Sequence, residues 1–233
     1  VKSAEQKTVL VTGANRGIGF EVCKELGEHG FNVFLSARNT ETGNEAVQKL
    51  KDLSITVDFI QMDVSNEVSI KNAAIEFKKF SLPLNVLINN AAILEDTNDI
   101  AKMPTSELRN AINTNSIGAF VVIREFLPFM ISGSRIINVS SGAGALADMG
   151  SYAPAYSISK TTLNAITRQF AAALRSKNIV VNSVCPGWVK TDMGGFGAPR
   201  SLKKGVETII WLATDVPSDK TGLFWRDKKV IDW

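Results

Sequence analysis

Short apolar runs alternate with amphipathic stretches along the whole chain. Residues 8–11, 32–36, 56–61, 85–89, 135–140 and 180–184 are rich in Val, Ile and Leu without polar alternation. Strands buried on both faces have that character. A weaker run covers 222–225. Between them, 18–28, 42–53, 67–80, 105–131, 155–176 and 203–213 carry apolar residues at helical spacing, so helices are expected there. Pro104 ahead of Thr105 and Glu107 marks a helix start, and Pro83 and Pro186 fall in connections. Strict strand–helix alternation implies parallel pairing through right-handed crossovers. The expectation is an α/β fold: one doubly wound parallel sheet of the Rossmann type, about seven strands, with helices on both faces. No repeat or linker interrupts the chain, so residues 1–233 read as a single domain.

The bulk composition narrows the function classes. With 45% hydrophobic and 21% charged residues, the 233-residue chain has material for one sizeable core. Its net charge of +3 comes from scattered lysines and arginines rather than a basic patch, which disfavours a nucleic-acid partner. The longest apolar stretch, 119–131, contains Arg124 and Glu125, and Val1–Glu5 lacks a signal-peptide core; no membrane partner is expected. Cys23 and Cys185 have no metal or redox spacing, so reduced thiols in a cytoplasmic protein are expected, with no metal. His29, the only histidine, precedes Gly30 where the first helix should end, and suits a helix-end role better than catalysis.

Candidate chemistry begins at a glycine turn. Gly13, Gly17 and Gly19 follow the first strand and open the first helix in Thr12-Gly13-Ala14-Asn15-Arg16-Gly17-Ile18-Gly19. A dinucleotide's pyrophosphate rests on helix-terminal N–H groups at such a turn. The spacing differs from G-x-G-x-x-G, and no Gly-Lys-Ser/Thr ending makes it a P-loop. After the second strand, a carboxylate would suit a ribose 2′-hydroxyl and an arginine a 2′-phosphate. The chain reads Ser36-Ala37-Arg38-Asn39. Arg38, with Arg16 in the turn itself, therefore predicts NADP(H) rather than NAD(H), although a surface arginine is the plainer alternative for Arg38. Far along the chain, Tyr156 and Lys160 stand four apart, which on a helix puts a phenol and an ammonium on one face.

Together these pieces resemble the short-chain dehydrogenase/reductase family over almost the whole chain. Its marks are Thr12-Gly13 through Gly19, Asp63-Val64, Asn89-Asn90-Ala91, Asn115, Ser140-Ser141, Tyr156-x-x-x-Lys160 and Pro186-Gly187 through Thr191. The stretch Cys185–Met193 and the ending Lys229–Trp233 are most similar to NADPH-dependent carbonyl reductases. The family's Asn-Asn-Ala-Gly is Asn-Asn-Ala-Ala here, with Ala92 at the last place. The segment from Ser141 to Tyr156 is short, without the insertion of monomeric animal carbonyl reductases.

The resemblance implies roles. Tyr156 protonates the substrate oxygen as hydride arrives, Ser141 holds that oxygen, and Lys160 lowers the phenol's pKa and binds the nicotinamide ribose. A cation about 4 Å away contributes roughly 4 kcal/mol at an effective dielectric near 20, enough to lower a phenol by about 3 units. A capping or turn serine is the alternative for Ser141. Asn115 lies in Asn113-Thr114-Asn115-Ser116, four poor helix formers; a bent helix releasing a carbonyl, or a loop between two helices, would explain them. The cofactor-binding set is Gly13, Asn15, Arg16, Gly17, Ile18, Gly19, Arg38, Asp63, Val64, Asn90, Ala91, Tyr156, Lys160, Pro186, Gly187, Val189 and Thr191, although Asp63 could equally cap a helix. Trp188, Met193 and Phe196 are candidates for the substrate wall, with core packing as the alternative for the two aromatics.

The expected activity is NADPH-dependent reduction of a small ketone or aldehyde in a largely apolar pocket, closed by a mobile glycine-rich segment, 193–201. A 3-oxoacyl-carrier or steroid reductase, or a non-catalytic NADP(H) sensor on the same fold, are the alternatives. The faces of 105–131 and 155–176 could pair two copies into a homodimer.

Overall fold

The computed structural model describes residues 6–94 and 97–233; the N-terminal reading at Val1–Glu5 lies outside them. The Val/Ile/Leu runs form β1 (Thr8–Val11), β2 (Asn32–Ala37), β3 (Val57–Gln61), β4 (Leu84–Asn89), β5 (Met130–Val139), β6 (Val180–Val184) and β7 (Phe224–Arg226). A further strand, β8 (Lys229–Ile231), is antiparallel to β7, and the order is β3-β2-β1-β4-β5-β6-β7-β8. The other pairings are parallel. The β7–β8 hairpin turns through Asp227 and Lys228, both at positive φ. Such a turn usually carries Asn-Gly or Asp-Gly; Asp-Lys followed by charged residues gave no strand signal.

The helices are α1 (Gly17–Glu28), α2 (Thr40–Asp52), α3 (Glu67–Lys78), α4 (Thr105–Ile112), α5 (Gly118–Phe126), α6 (Pro154–Leu174) and α7 (Leu202–Thr214). His29 ends α1 as expected: its backbone N–H and ring Nδ1 both meet the Glu25 carbonyl. The expected helix over 105–131 is instead four pieces. A π-turn, Asn113–Ile117, separates α4 from α5; a 3₁₀ turn, Leu127–Phe129, follows, and Met130 already belongs to β5. Met130 and Ile131 read as helix because apolar continuity hid the register break between Leu84 and Val86, which lets β5 begin early.

One core layer joins β-sheet residues such as Val9, Val11, Val33 and Leu35 to Val22 and Leu26 of α1 and to Ile209 and Leu212 of α7. The opposite layer sets Leu10, Phe34 and Leu87 against Phe77 of α3, Phe126 of α5 and Leu174 of α6. With apolar residues on both faces of the sheet, polar groups concentrate at the strands' C-terminal edge. The order reverses between β1 and β4, and at such a switch point a crevice opens beyond the strand ends. Among the described residues, no helix is long and apolar enough to cross a membrane.

Candidate active site

Beyond those strand ends lie two adjoining cavities, about 310 Å³ and 910 Å³. Ile18, Ser140, Tyr156, Pro186, Thr191 and Met193 line both.

The smaller cavity gathers most of the proposed cofactor set: Gly13, Asn15, Arg16, Gly17, Ile18, Arg38, Asp63, Val64, Asn90, Ala91, Tyr156, Lys160, Pro186 and Thr191. The glycine turn is built for close approach. Gly13 has φ +61°, and a Cβ there would stand 2.7 Å from the Ala91 Cα; one on Gly19 would stand 2.6 Å from Asn90 Nδ2. Asn90 in turn donates to the Thr12 and Gly13 carbonyls, 3.0 Å each, fixing the turn from below. Gly19 is buried under the turn and serves this packing rather than the wall. At its N-terminus α1 has neither a side-chain cap nor an acidic residue in its first turn. Its free N–H groups face the cavity, an anion site by geometry and dipole.

The two arginines part company. Arg38, exposed in the cavity wall just after β2, forms no ion pair among the described residues. Arg16 instead pairs with Asp192 across the cleft, so of the two arginines only Arg38 is without a carboxylate partner among the described residues. Asp63 does not cap α3: Asn66 does, accepting from Val68 and Ser69 N–H. The Asp63 carboxylate accepts from the Ser65 N–H and hydroxyl within its own turn. Ala92, where the family pattern has glycine, is not at positive φ, so alanine fits without strain.

Where the cavities meet, α6 brings Tyr156 and Lys160 to the end of β5. Lys160 is buried and its Nζ donates to the Val139 carbonyl at 2.8 Å, 5.5 Å from the Tyr156 ring centre. The helix is docked by Gly144. Its hypothetical Cβ would meet Lys160 Cβ at 2.6 Å, and its carbonyl accepts from Thr161 Oγ1 and Asn164 Nδ2. That contact sets the reach between Ser141 and Tyr156. Ser141 takes the capping role: its oxygen accepts from the Ala143 N–H and caps the Gly142–Gly144 turn, with its hydroxyl beside the Tyr156 phenol. The helix starts at a strained Ala153, φ 39°, immediately before Pro154; a left-handed alanine costs about 1–2 kcal/mol. Neither Gly144 nor Ala153 had a local sequence signal, because both follow from how α6 meets β5.

The electrostatics correct one expectation. Burial pushes the Tyr156 phenol up, and hydrogen bonding by Ser141 pulls it only part-way back. Desolvation outweighs any help from Lys160, whose own pKa burial lowers from 10.5 to about 8. The sign of the linked stability follows. Between pH 8 and 10.5 the unfolded lysine keeps a proton that the native one releases, so this group's contribution to stability rises with pH. Cys23 and Tyr156, both raised by burial, act oppositely above their ordinary values of 9.0 and 10.0. Comparing wild type with Lys160→Met isolates the lysine. Their difference in unfolding free energy, from urea titrations, should move toward the wild type by roughly 1 kcal/mol per pH unit above 8. A flat difference would rule out the buried ammonium.

Asn115 occupies the π-turn and lines neither cavity. It accepts from the Ile93 N–H (2.8 Å) and donates to the Ile93 carbonyl and Ser159 Oγ (both 2.9 Å). It thus fastens the segment after β4 to α6 one residue before Lys160. The run of poor helix formers does interrupt the helix, as a π-turn rather than a loop between two helices.

Pro186, Gly187, Trp188, Val189, Thr191 and Met193 border the larger cavity. Phe196 does not: it is fully exposed and outside the lining, because the tip Gly195-Phe196-Gly197 turns outward. Nor is the glycine-rich segment loose throughout. Val189 bridges Arg200, Trp188 Nε1 donates to the Gly194 carbonyl at 2.7 Å, and Gly194 and Gly195 N–H groups bond Thr191. The wall is also less apolar than expected: Asp148, Arg200 and Arg226 line it with Cys185.

The family model for short chain dehydrogenases matches residues 7–198. The chain belongs to the short-chain dehydrogenase/reductase family. Carbonyl reductase (NADPH) 1 of Mus musculus is 32% identical over 278 positions, covering 99% of this chain and 100% of the relative. Against 233 residues here, that alignment leaves the relative with segments this family member lacks. NADPH-bound carbonyl reductase from chicken fatty liver superposes with a TM-score of 0.90 at 29% identity, over 99% of this chain and 96% of that one. Carbonyl reductase Sniffer of D. melanogaster gives 0.89 at 28% identity, over 98% and 100%. The sheet is of the Rossmann type.

Proposed function

We propose that the protein is an NADPH-dependent carbonyl reductase, residues 1–233 acting as one NADP(H)-binding domain, with Tyr156 as proton donor to a ketone or aldehyde. NADP(H) is the cofactor: the relatives are NADPH carbonyl reductases, and the cleft fits it. The uncapped α1 end suits a pyrophosphate, the Gly13 and Gly19 cradle leaves backbone exposed, and Arg38 suits a 2′-phosphate. One observation carries the reading. Tyr156, flanked by Ser141 and Lys160, stands where a cleft suited to a dinucleotide opens into a second, larger cavity.

When bound, the cofactor supplies the hydride. Ser141 Oγ holds and polarises the substrate oxygen, donors fixed in advance being the strongest electrostatic aid to developing negative charge. The raised phenol pKa suits the donor role, because Tyr156 remains protonated until an oxyanion forms beside it. An alkoxide resembles hydroxide, whose conjugate acid has a pKa near 16, about 6 units above an ordinary phenol. The proton therefore moves downhill without a prior lowering of the phenol. Lys160 keeps a positive charge beneath the ring below about pH 8, stabilising the phenolate left behind. Asn115 holds the wall segment and α6 in register.

Loss of NADPH absorbance over a panel of activated ketones tests the activity; no oxidation with any of them overturns it. A cytoplasmic homodimer completes the reading, with Cys23 and Cys185 as buried free thiols and the exposed Ile117 and Phe120 marking a pairing face. Sedimentation of a monomer would refute the dimer.

A further inference from the structure

Among the described residues, Arg226 is a cation of the larger cavity that no carboxylate contacts in an ion pair. Arg226, at the end of β7, lays its guanidinium against Gly142, the residue after Ser141: a Cβ at 142 would stand 2.2 Å from Nη2. Nε and Nη2 both reach Cys185 Sγ, at 3.3 and 3.0 Å. Sulfur is a weak acceptor, and this one is shared with the N–H groups of Gly142 (3.1 Å) and Gly187 (3.4 Å). Among the described residues, Arg226 makes no ion pair, and Nη1 makes no hydrogen bond. The neighbouring Arg200 is different. It grips Asp227 with both terminal nitrogens, at 2.7 and 2.8 Å, so Asp227 is already engaged although it also feels the Arg226 charge. Asp148 stands exposed on the cavity wall and forms no ion pair among the described residues.

We infer that Arg226 reads a carboxylate on the carbonyl substrate, making oxo acids the substrate class of this cavity. The inference rests on the reductase reading above and names what that site takes. Arginine's planar fork matches a carboxylate with two parallel hydrogen bonds, and such pairs are stronger when partly shielded from water. Position also restricts the ligand. Consecutive Cα atoms lie about 3.8 Å apart, so the guanidinium sits one residue from the hydroxyl that holds the reacting oxygen. A carboxylate one or a few carbons from the carbonyl can reach both; one at the end of a long chain cannot.

Matched pairs test this: benzoylformate and 4-oxo-4-phenylbutanoate, each beside its methyl ester, at saturating NADPH. Wild type should favour the acid in at least one pair. Arg226→Met should lower kcat/KM for that acid at least tenfold, chiefly through KM, and leave its ester within about twofold; Arg226→Lys should fall between. Equal losses on acid and ester would mean that Arg226 only props Gly142 and Cys185, and the inference fails. It fails too if wild type prefers every ester. In either case continued ester reduction leaves the carbonyl reductase standing, whereas no turnover of any acid or ester removes both.

Discussion

Tyr156→Phe is expected to lower kcat for carbonyl reduction by about three orders of magnitude, within the range lost with a positioned general acid. The ring stays and so does the packing at the head of α6, because the half-buried phenol's body fills the junction of the two cavities beside Ser141. NADPH affinity, followed by fluorescence titration, should therefore change by less than about tenfold. That separation is the useful part of the result. A fall in turnover accompanied by an equal loss of cofactor binding would point to a damaged cleft, and near-normal turnover would remove Tyr156 as the donor. Water could not easily replace it, since Lys160 beside it is buried and already bonded to the Val139 carbonyl.

The pair Ala37→Asp with Arg38→Ala should cut the preference for NADPH over NADH, as a ratio of kcat/KM values, by about a hundredfold or more. Hydrogen bonds to a charged partner contribute about 1.5–3 kcal/mol, and each 1.4 kcal/mol is tenfold. The new carboxylate would also repel a phosphomonoester of about −1.5 to −2 charge. We assign the effect to Arg38 because its guanidinium has no carboxylate partner among the described residues, while Arg16 is held by Asp192. Accordingly Arg16→Ala should shift the ratio much less. An unchanged ratio in the double variant would refute the assignment.

The strand–helix alternation alone implies the parallel sheet. Buried parallel strands must be apolar on both faces, and the runs around Val9, Val33, Val86, Ile136 and Val181 have nowhere else to go. The glycine turn and the Tyr156/Lys160 spacing were equally legible, because each rests on local geometry: a helix start in one case, one helical turn in the other. The π-turn at Asn115 showed as a run of poor helix formers, though not its two-sided hold on Ile93 and Ser159.

Other features depend on residues far apart in the chain. That Arg16 belongs to Asp192, that Phe196 faces solvent, and that the phenol's pKa is raised rather than lowered all follow from packing. So does the placement of Arg226 over Gly142 beside Cys185, through a hairpin whose turn residues gave no signal. Periodicity and spacing are properties of neighbours along the chain, and the sequence by itself therefore determined the architecture and the juxtaposition of Tyr156 with Lys160. Burial and charge at a point are sums over whatever the fold collects there, and so only the tertiary structure decided the electrostatics of the site and the polarity of the larger cavity's wall.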